Sequence, residues 1–421
     1  MPGAQPSPNV IAVTAAARTE TTFRIERWRA LTSGILETAG TTFLLLVAVR
    51  WFQAGAFAKA LVAAGSSVGL LITPLVVTYV TRQALSPSLA ACRIMLVGAA
   101  SFLIPALVPW QPVYVAGAVL GMTMVSAVIP LLTQMYQENY PADQRGRLFS
   151  RTVVIRILAA ALFAKAAGMI LANDLAHFRW LLLVFAACAA AAAALLRNCP
   201  TTPLHDSGGA HPLRALRFVR EDAVFRRTLI AWMLMGFANL MMLPLRVEYL
   251  AHERYGLRLP ADQIALYTSV VPNLARLVMS PVWGWLFDRM NFFTLRVTLN
   301  VGFMIGILSF FTTGTTTGLV AGAIVYGISN AGGDVAWSLW VTKFAPAGRV
   351  ADYMSVHTFF TGVRGVFAPI AAFQLAAFAS LPSLGWISAG LIGAACLVLL
   401  PDTRSKKGAQ NAKALVEEVS E

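Results

Sequence analysis

Six charged residues stand inside apolar runs of this chain: Glu37, Arg156, Lys165, Arg276, Asp334 and Arg364. At a helix centre in hydrocarbon each costs about 2.5–3.5 kcal/mol even on a lenient insertion scale, so such residues face a hydrated path, a ligand or one another. The chemistry open to them is that of the arginine, a permanent cation that grips anions, and of the carboxylate, which takes a proton or a cation. Spacing gathers further polar residues around them. Ser269, Asn273, Arg276 and Ser280 recur at i, i+4, i+7 and i+11, one stripe of a helix. His357, Thr361 and Arg364 follow the same rhythm, as do Asn330, Asp334 and Trp337, and Asn239, Met242 and Arg246 share a helix face at i, i+3 and i+7. Arg156 and Lys165 lie on opposite sides of their helix, so only one of them can face a shared cavity.

The runs that carry these residues define the class. The chain has 421 residues, 57% of them hydrophobic and 12% charged, too little polar surface to cover a water-soluble globule. The net charge of +14 does not mark a nucleic-acid surface, because the basic residues sit in short segments between apolar runs. Four cysteines, Cys92, Cys188, Cys199 and Cys396, lie in or beside those runs without C-x-x-C spacing, so neither a disulfide framework nor a metal site is expected.

About twelve runs reach the roughly 20 residues needed to cross a bilayer. With the N-terminus inside, the inner segments hold about twenty Lys and Arg and the outer ones about six, which places both termini in the cytoplasm. The expected organisation is an N-terminal tail over 1–29, a six-helix half over 30–197, a cytoplasmic linker over 198–225, a second half over 226–401 and a tail over 402–421. The fold class expected is an all-α membrane protein of twelve transmembrane helices in two pseudo-symmetric six-helix bundles. "TRQALSPSLAACRIMLVG" from Thr81 pairs with "DRMNFFTLRVTLNVG" from Asp288, bringing Arg82 opposite Arg289 and Arg93 opposite Arg296. Repeated halves are what transporters use to build a site at the repeat interface.

"GWLFDRMNFFTLR", Gly284 to Arg296, resembles the G-x-x-x-D-R loop signature of the major facilitator superfamily at its second position. The first copy keeps Arg82 but has Thr81 where the acid would stand. The resemblance implies a conformational latch at Gly284, Asp288 and Arg289, the aspartate capping a helix N-terminus and the arginine pairing across the cytoplasmic face. It also implies that the third, sixth, ninth and twelfth spans are outer supports, and the six charges avoid all four.

The reading that follows is a secondary active transporter, not an enzyme, working by alternating access on a small anionic or zwitterionic solute. Counting Arg156, Arg276 and Arg364 against Glu37 and Asp334 gives the cavity a slight positive excess. Substrate-binding or coupling roles are expected for Glu37, Arg156, Asn239, Asn273, Arg276, Asn330, Asp334, Trp337, His357, Thr361 and Arg364. No nucleotide-binding loop of the G-x-x-x-x-G-K type is present, so an ion gradient, with protons first, would supply the energy. Expected partners are the solute, protons and membrane lipid. No cofactor, metal or nucleic acid is expected, and the protein is read as a monomer of a bacterial inner membrane. Three alternatives stay open: proton-coupled efflux of amphipathic compounds, suggested by Met and Trp in the seventh and tenth spans, a transport-inactive sensor or scaffold, and a polytopic membrane enzyme. Plainer roles also stay open residue by residue. Lys165 can snorkel, Arg50, Arg246 and Glu248 can be rim charges, and Gly332 and Gly333 beside Asp334 can serve helix packing or a ligand's approach.

Overall fold

The computed structural model describes residues 8–141, 144–204, 216–340 and 350–404. Among them no strand forms, and eleven helices are long and apolar enough to cross a membrane. A twelfth is as long but more polar. We number these twelve α1 to α12. The helix α1 runs through Pro8–Thr38, a π-helical turn at Ala39–Phe43 and Leu44–Arg50. It is followed by α2 (Ala56–Arg82), α3 (Pro87–Leu107), α4 (Gln111–Ala127 and Ile129–Asn139), α5 (Arg145–Asn173) and α6 (Phe178–Arg197). The second half has α7 (Ala223–Ala251), then α8 (Ala261–Ala265, a π-helical turn at Leu266–Val270, and Val271–Arg289). It closes with α9 (Phe292–Thr312), α10 (Thr316–Leu339), α11 (Val350–Leu375) and α12 (Leu381–Leu399).

Local sequence sets the boundaries. Asp222 starts α7 by accepting from the amides of Val224 (2.9 Å) and Phe225 (3.0 Å), and Asn291 starts α9 by accepting from Phe293 (2.8 Å). Ser86 followed by Pro87, and Ser380 followed two residues on by Pro382, open α3 and α12 in the same manner. Gly256 and Gly314 take the left-handed conformation in the connections after α7 and α9. The segment expected as a tail through residue 29 departs from that reading, since α1 is helical from Pro8. Its polar residues find partners: Glu26, wholly buried, accepts from Arg29 (2.7 and 2.8 Å) and from the Tyr136 hydroxyl (2.5 Å). Residues 205–215 of the expected linker and 405–421 of the expected C-terminal tail lie outside the described residues.

Helices α3, α6, α9 and α12 pack on members of their own half, α3 against α6 and α9 against α12. The halves meet through α2 on α11, α5 on α8 and α1 on α7. This division puts the polar helices at the seam and the apolar ones outside, as the distribution of charge along the sequence requires.

Candidate functional site

At the seam four charges form a chain of alternating sign around the buried Arg276. Arg276 of α8 donates from Nη1 to Glu37 Oε1 of α1 (2.6 Å) and from Nε to Asp334 Oδ2 of α10 (2.6 Å). Arg156 of α5 lies 3.3 Å from the other oxygen of Glu37. The order is Arg156, Glu37, Arg276, Asp334, two residues from each half. Asn273, one turn before Arg276, accepts from its Nη1 at 3.4 Å and donates to Ser269 at 3.4 Å, so the polar stripe of α8 is a real surface. Short charge-assisted bonds of this kind are the strong ones.

Backbone irregularity and a small residue bring these groups together. The π-helical turns of α1 and α8 touch: the Thr268 hydroxyl donates to its own Ile264 carbonyl (2.7 Å), leaving Thr42 to donate to Thr268 (3.0 Å). Such turns re-aim the residues around them and are frequent at working sites. Gly34, one turn before Glu37, lies against the Arg156 carbonyl and Ala159, where a Cβ would collide with the backbone of α5. Arg276 is 6% exposed, whereas the side chains of Glu37, Arg156 and Asp334 are 25%, 33% and 43% exposed. The two ends of the chain are thus its wetter members.

The face opposite the termini is sealed by contacts between halves. Lys59 at the start of α2 donates to Glu248 near the end of α7 (2.5 Å), with both groups buried, and the ammonium lies 5.2 Å from the centre of the Phe373 ring. Arg50 donates to the carbonyls of Ala251 and Leu259, the latter at 2.7 Å. Gly168 of α5 packs on Asp262 and Ala265 of α8.

Of the site residues expected from sequence, Glu37, Arg156, Asn273, Arg276 and Asp334 come together at the seam. Arg364, His357, Thr361 and Trp337 do not join them. Arg364 donates to the Trp232 carbonyl and Thr361 to the His357 carbonyl (2.8 Å), while the Trp337 ring lies 5.8 Å from that of His357. Asn239, Met242 and Arg246 line a small cavity with Gly306, Gly322 and Tyr326 inside the second half. Asn330 is half-buried on α10. With Arg364 elsewhere, the joined groups are two cations and two anions, and the positive excess expected from sequence is absent.

Several plainer readings are corrected as well. Arg246 and Glu248, expected as rim charges, are 6% and 0% exposed, and Lys59 carried no expectation at all. A charge near the end of a span is ordinarily taken to snorkel, and only the partner on the facing half reveals otherwise. Lys165 is exposed. Gly332 packs against the ring of Trp283 and against Leu299, so it serves helix packing and not a ligand. Of the Met and Trp residues behind the efflux alternative, Trp232, Met235, Met241, Met242 and Trp340 are buried in the second bundle, and Met233 and Trp337 are half-buried. Of the expected latch, Gly284 has open space around it, Arg289 is exposed with its guanidinium 4.1 Å over the Trp285 ring, and the Asp288 side chain lies outside the described residues. All three stand on the last turns of α8, not in a loop.

The sequence matches the Major Facilitator Superfamily over residues 85–318 and 261–419. The chain belongs to this family. It is accordingly a membrane transport protein and not an enzyme. No curated protein sequence matches it. Among solved structures it is similar to the nucleoside transporter NupG (TM-score 0.71, 12% identity, 91% of this chain and 99% of that one). It is also similar to a D-xylose-proton symporter (0.67, 16%, 90% and 96%) and to the fucose:proton symporter FucP of E. coli (0.61, 15%, 90% and 97%). At these identities the likeness is one of fold: twelve helices in two bundles.

Proposed function

We propose that this protein is a secondary transporter working by alternating access, with its solute bound along the Arg156–Glu37–Arg276–Asp334 chain. The observation that carries the reading is the joining of partly exposed charges from both halves at a seam that a buried ion pair between the halves ties on one face. The Glu37–Arg276 bond joins the two halves at the point about which they rock, so anything that occupies this chain is coupled to the motion.

The balance of charge favours a zwitterionic solute over a plain anion. The longest and wettest pair is Arg156 with Glu37, and the wettest acid is Asp334. A solute carboxylate competes most readily for Arg156, and a solute ammonium for Asp334. Asp334 is also the group placed to exchange a proton with solvent, which would weaken its hold on Arg276 and couple transport to a proton gradient. The arginine bias of the connecting segments orients both termini to the cytoplasm of a bacterial inner membrane, so the state described is inward-facing.

The test is counterflow in proteoliposomes across amino acids and other zwitterions, organic anions, and neutral sugars and nucleosides, with thermal stabilisation of the purified protein as the binding readout. Uptake of a zwitterion that is lost in Arg156→Gln supports the reading. Transport confined to neutral solutes and indifferent to that substitution refutes it.

A further inference from the structure

A second cluster of charge lies inside the C-terminal bundle and, among the described residues, has no acid paired with it. Arg296 of α9 is 1% exposed, its guanidinium stacked 3.6 Å over the Trp232 ring, and neither Nη1 nor Nη2 has a hydrogen-bond partner. Arg364 of α11, 6% exposed, reaches the same indole from 5.8 Å, and its Nε has no partner. His357, two turns before Arg364 on α11, sets its ring 5.1 Å from Trp232 and 5.0 Å from Trp340, with Nε2 unpartnered. No ion pair among the described residues involves Arg296, Arg364 or His357.

Arginine does not give up its proton in a protein, so two permanent cations lie buried beside one indole. Leaving a buried charge uncompensated is strongly destabilising, and a cation–π contact offsets only part of that. Every free polar atom named here is a guanidinium nitrogen or an imidazole nitrogen. The guanidinium nitrogens can only donate, which suits an anion and rejects a metal cation.

We propose that Arg296, Arg364 and His357 hold a small monovalent inorganic anion of the halide class, with Trp232 as one wall. The cluster stands apart from the Arg156–Glu37–Arg276–Asp334 chain, since its three side chains pack on Trp232 and Trp340 inside the second half. Its influence on the path is mechanical. The helix that carries Arg364 also seats Gly362 and Gly365 against Leu71 and Ser67 of α2, so the anion fixes a helix of the seam.

The experiment is thermal unfolding of the full-length protein in sodium chloride or bromide against sodium gluconate at equal ionic strength. Chloride and bromide should raise Tm in a saturable manner, on the order of a few degrees per tenfold concentration, as expected for a ligand of the folded state. Arg296→Met, close in volume, should lose the halide dependence and be no less stable than the parent in gluconate, because it removes an unpaired charge. Superposable parent curves in chloride and gluconate overturn the site, and so does a halide dependence that survives Arg296→Met. Should that variant fail to fold, bromide-soaked crystals of the parent decide the matter: an anomalous peak between Arg296 and Arg364 supports the site, and none there refutes it.

Discussion

Replacing Glu248 by glutamine should open the face of the protein opposite its termini. In the structure Lys59 and Glu248 are 7% and 0% exposed and 2.5 Å apart, and they belong to different halves. Removing one partner of such a pair leaves the other charge buried and costs about 3–5 kcal/mol. The penalty applies only where Lys59 stays dry, in the closed state. Once the face opens, water solvates the ammonium and the penalty vanishes. At about 1.4 kcal/mol per factor of ten, the ratio of closed to open falls by roughly two to three and a half orders of magnitude. Two states within a few kcal/mol of one another would exchange rank. Spin labels at Ala172, near the end of α5, and Ala377, after α11, read the separation of the halves on that face. Glu248→Gln should shift the distance distribution outward, and the apolar pair Lys59→Met with Glu248→Met should restore the closed distance, since replacing both partners is close to neutral. Identical distributions for parent and Glu248→Gln would refute the assignment of this pair as the closure.

Asp334→Asn should abolish pH-driven accumulation of solute while retaining exchange down its own gradient, and equal uphill uptake by parent and variant in proteoliposomes would reduce Asp334 to a structural countercharge. Gly34→Val should force α1 from the Arg156 carbonyl and loosen the Arg156–Glu37 pair, so solute-dependent stabilisation should fall at least tenfold in affinity, and unchanged affinity would separate this packing from the site. Cysteines at Pro203 and Glu253, in a Cys396→Ala background, should react with an impermeant maleimide on opposite sides of the membrane, Glu253→Cys from outside. The remaining cysteines are buried, and burial pushes the Cys199 thiol up to about 11, so they stay silent at neutral pH. Labelling of both positions from one side would overturn the orientation.

How far the site could be read in advance follows from what a charge costs. Glu37, Arg156, Arg276 and Asp334 were each visible because nothing else excuses an ionised group deep in an apolar run. The stripe of α8 was visible because period 3.6 is fixed by helix geometry. What periodicity cannot supply is the rotation of one helix against its neighbour. His357 and Arg364 share a face of α11, but that face turns to Trp232 inside its own bundle, not to Arg276 across the seam. The π-helical turn of α8 did leave a mark, Pro272, which has no N–H to bond the Thr268 carbonyl within the turn, but its contact with the turn of α1 could not be read from either segment alone.

The inter-half closures are unequal in a way that bears on the cycle. On the opposite face the seam has a buried ion pair and two arginine-to-carbonyl bonds, all between halves. On the face of the termini the ion pairs among the described residues stay within a half: Arg18 with Glu138, Arg29 with Glu26, and Arg227 with Asp402. A carrier needs both closures at comparable free energy, or one state would hold nearly all of the population. The opposite closure is already satisfied without solute, so the compensation has to come from contacts that form only when the other face shuts. Glu37 and Arg276 are the groups that remain bonded through either closure if the chain is the pivot, and a solute that bridges Arg156 to Asp334 would add contacts in the occluded state that neither open state can make. Mutating the pivot and mutating the closure should therefore differ in kind: Glu248→Gln redistributes the states while leaving solute affinity for the open form, whereas Arg276→Ala leaves two carboxylates without their shared cation and should weaken both fold and binding. A variant Arg276→Ala that bound solute as the parent does would show that the pivot lies elsewhere.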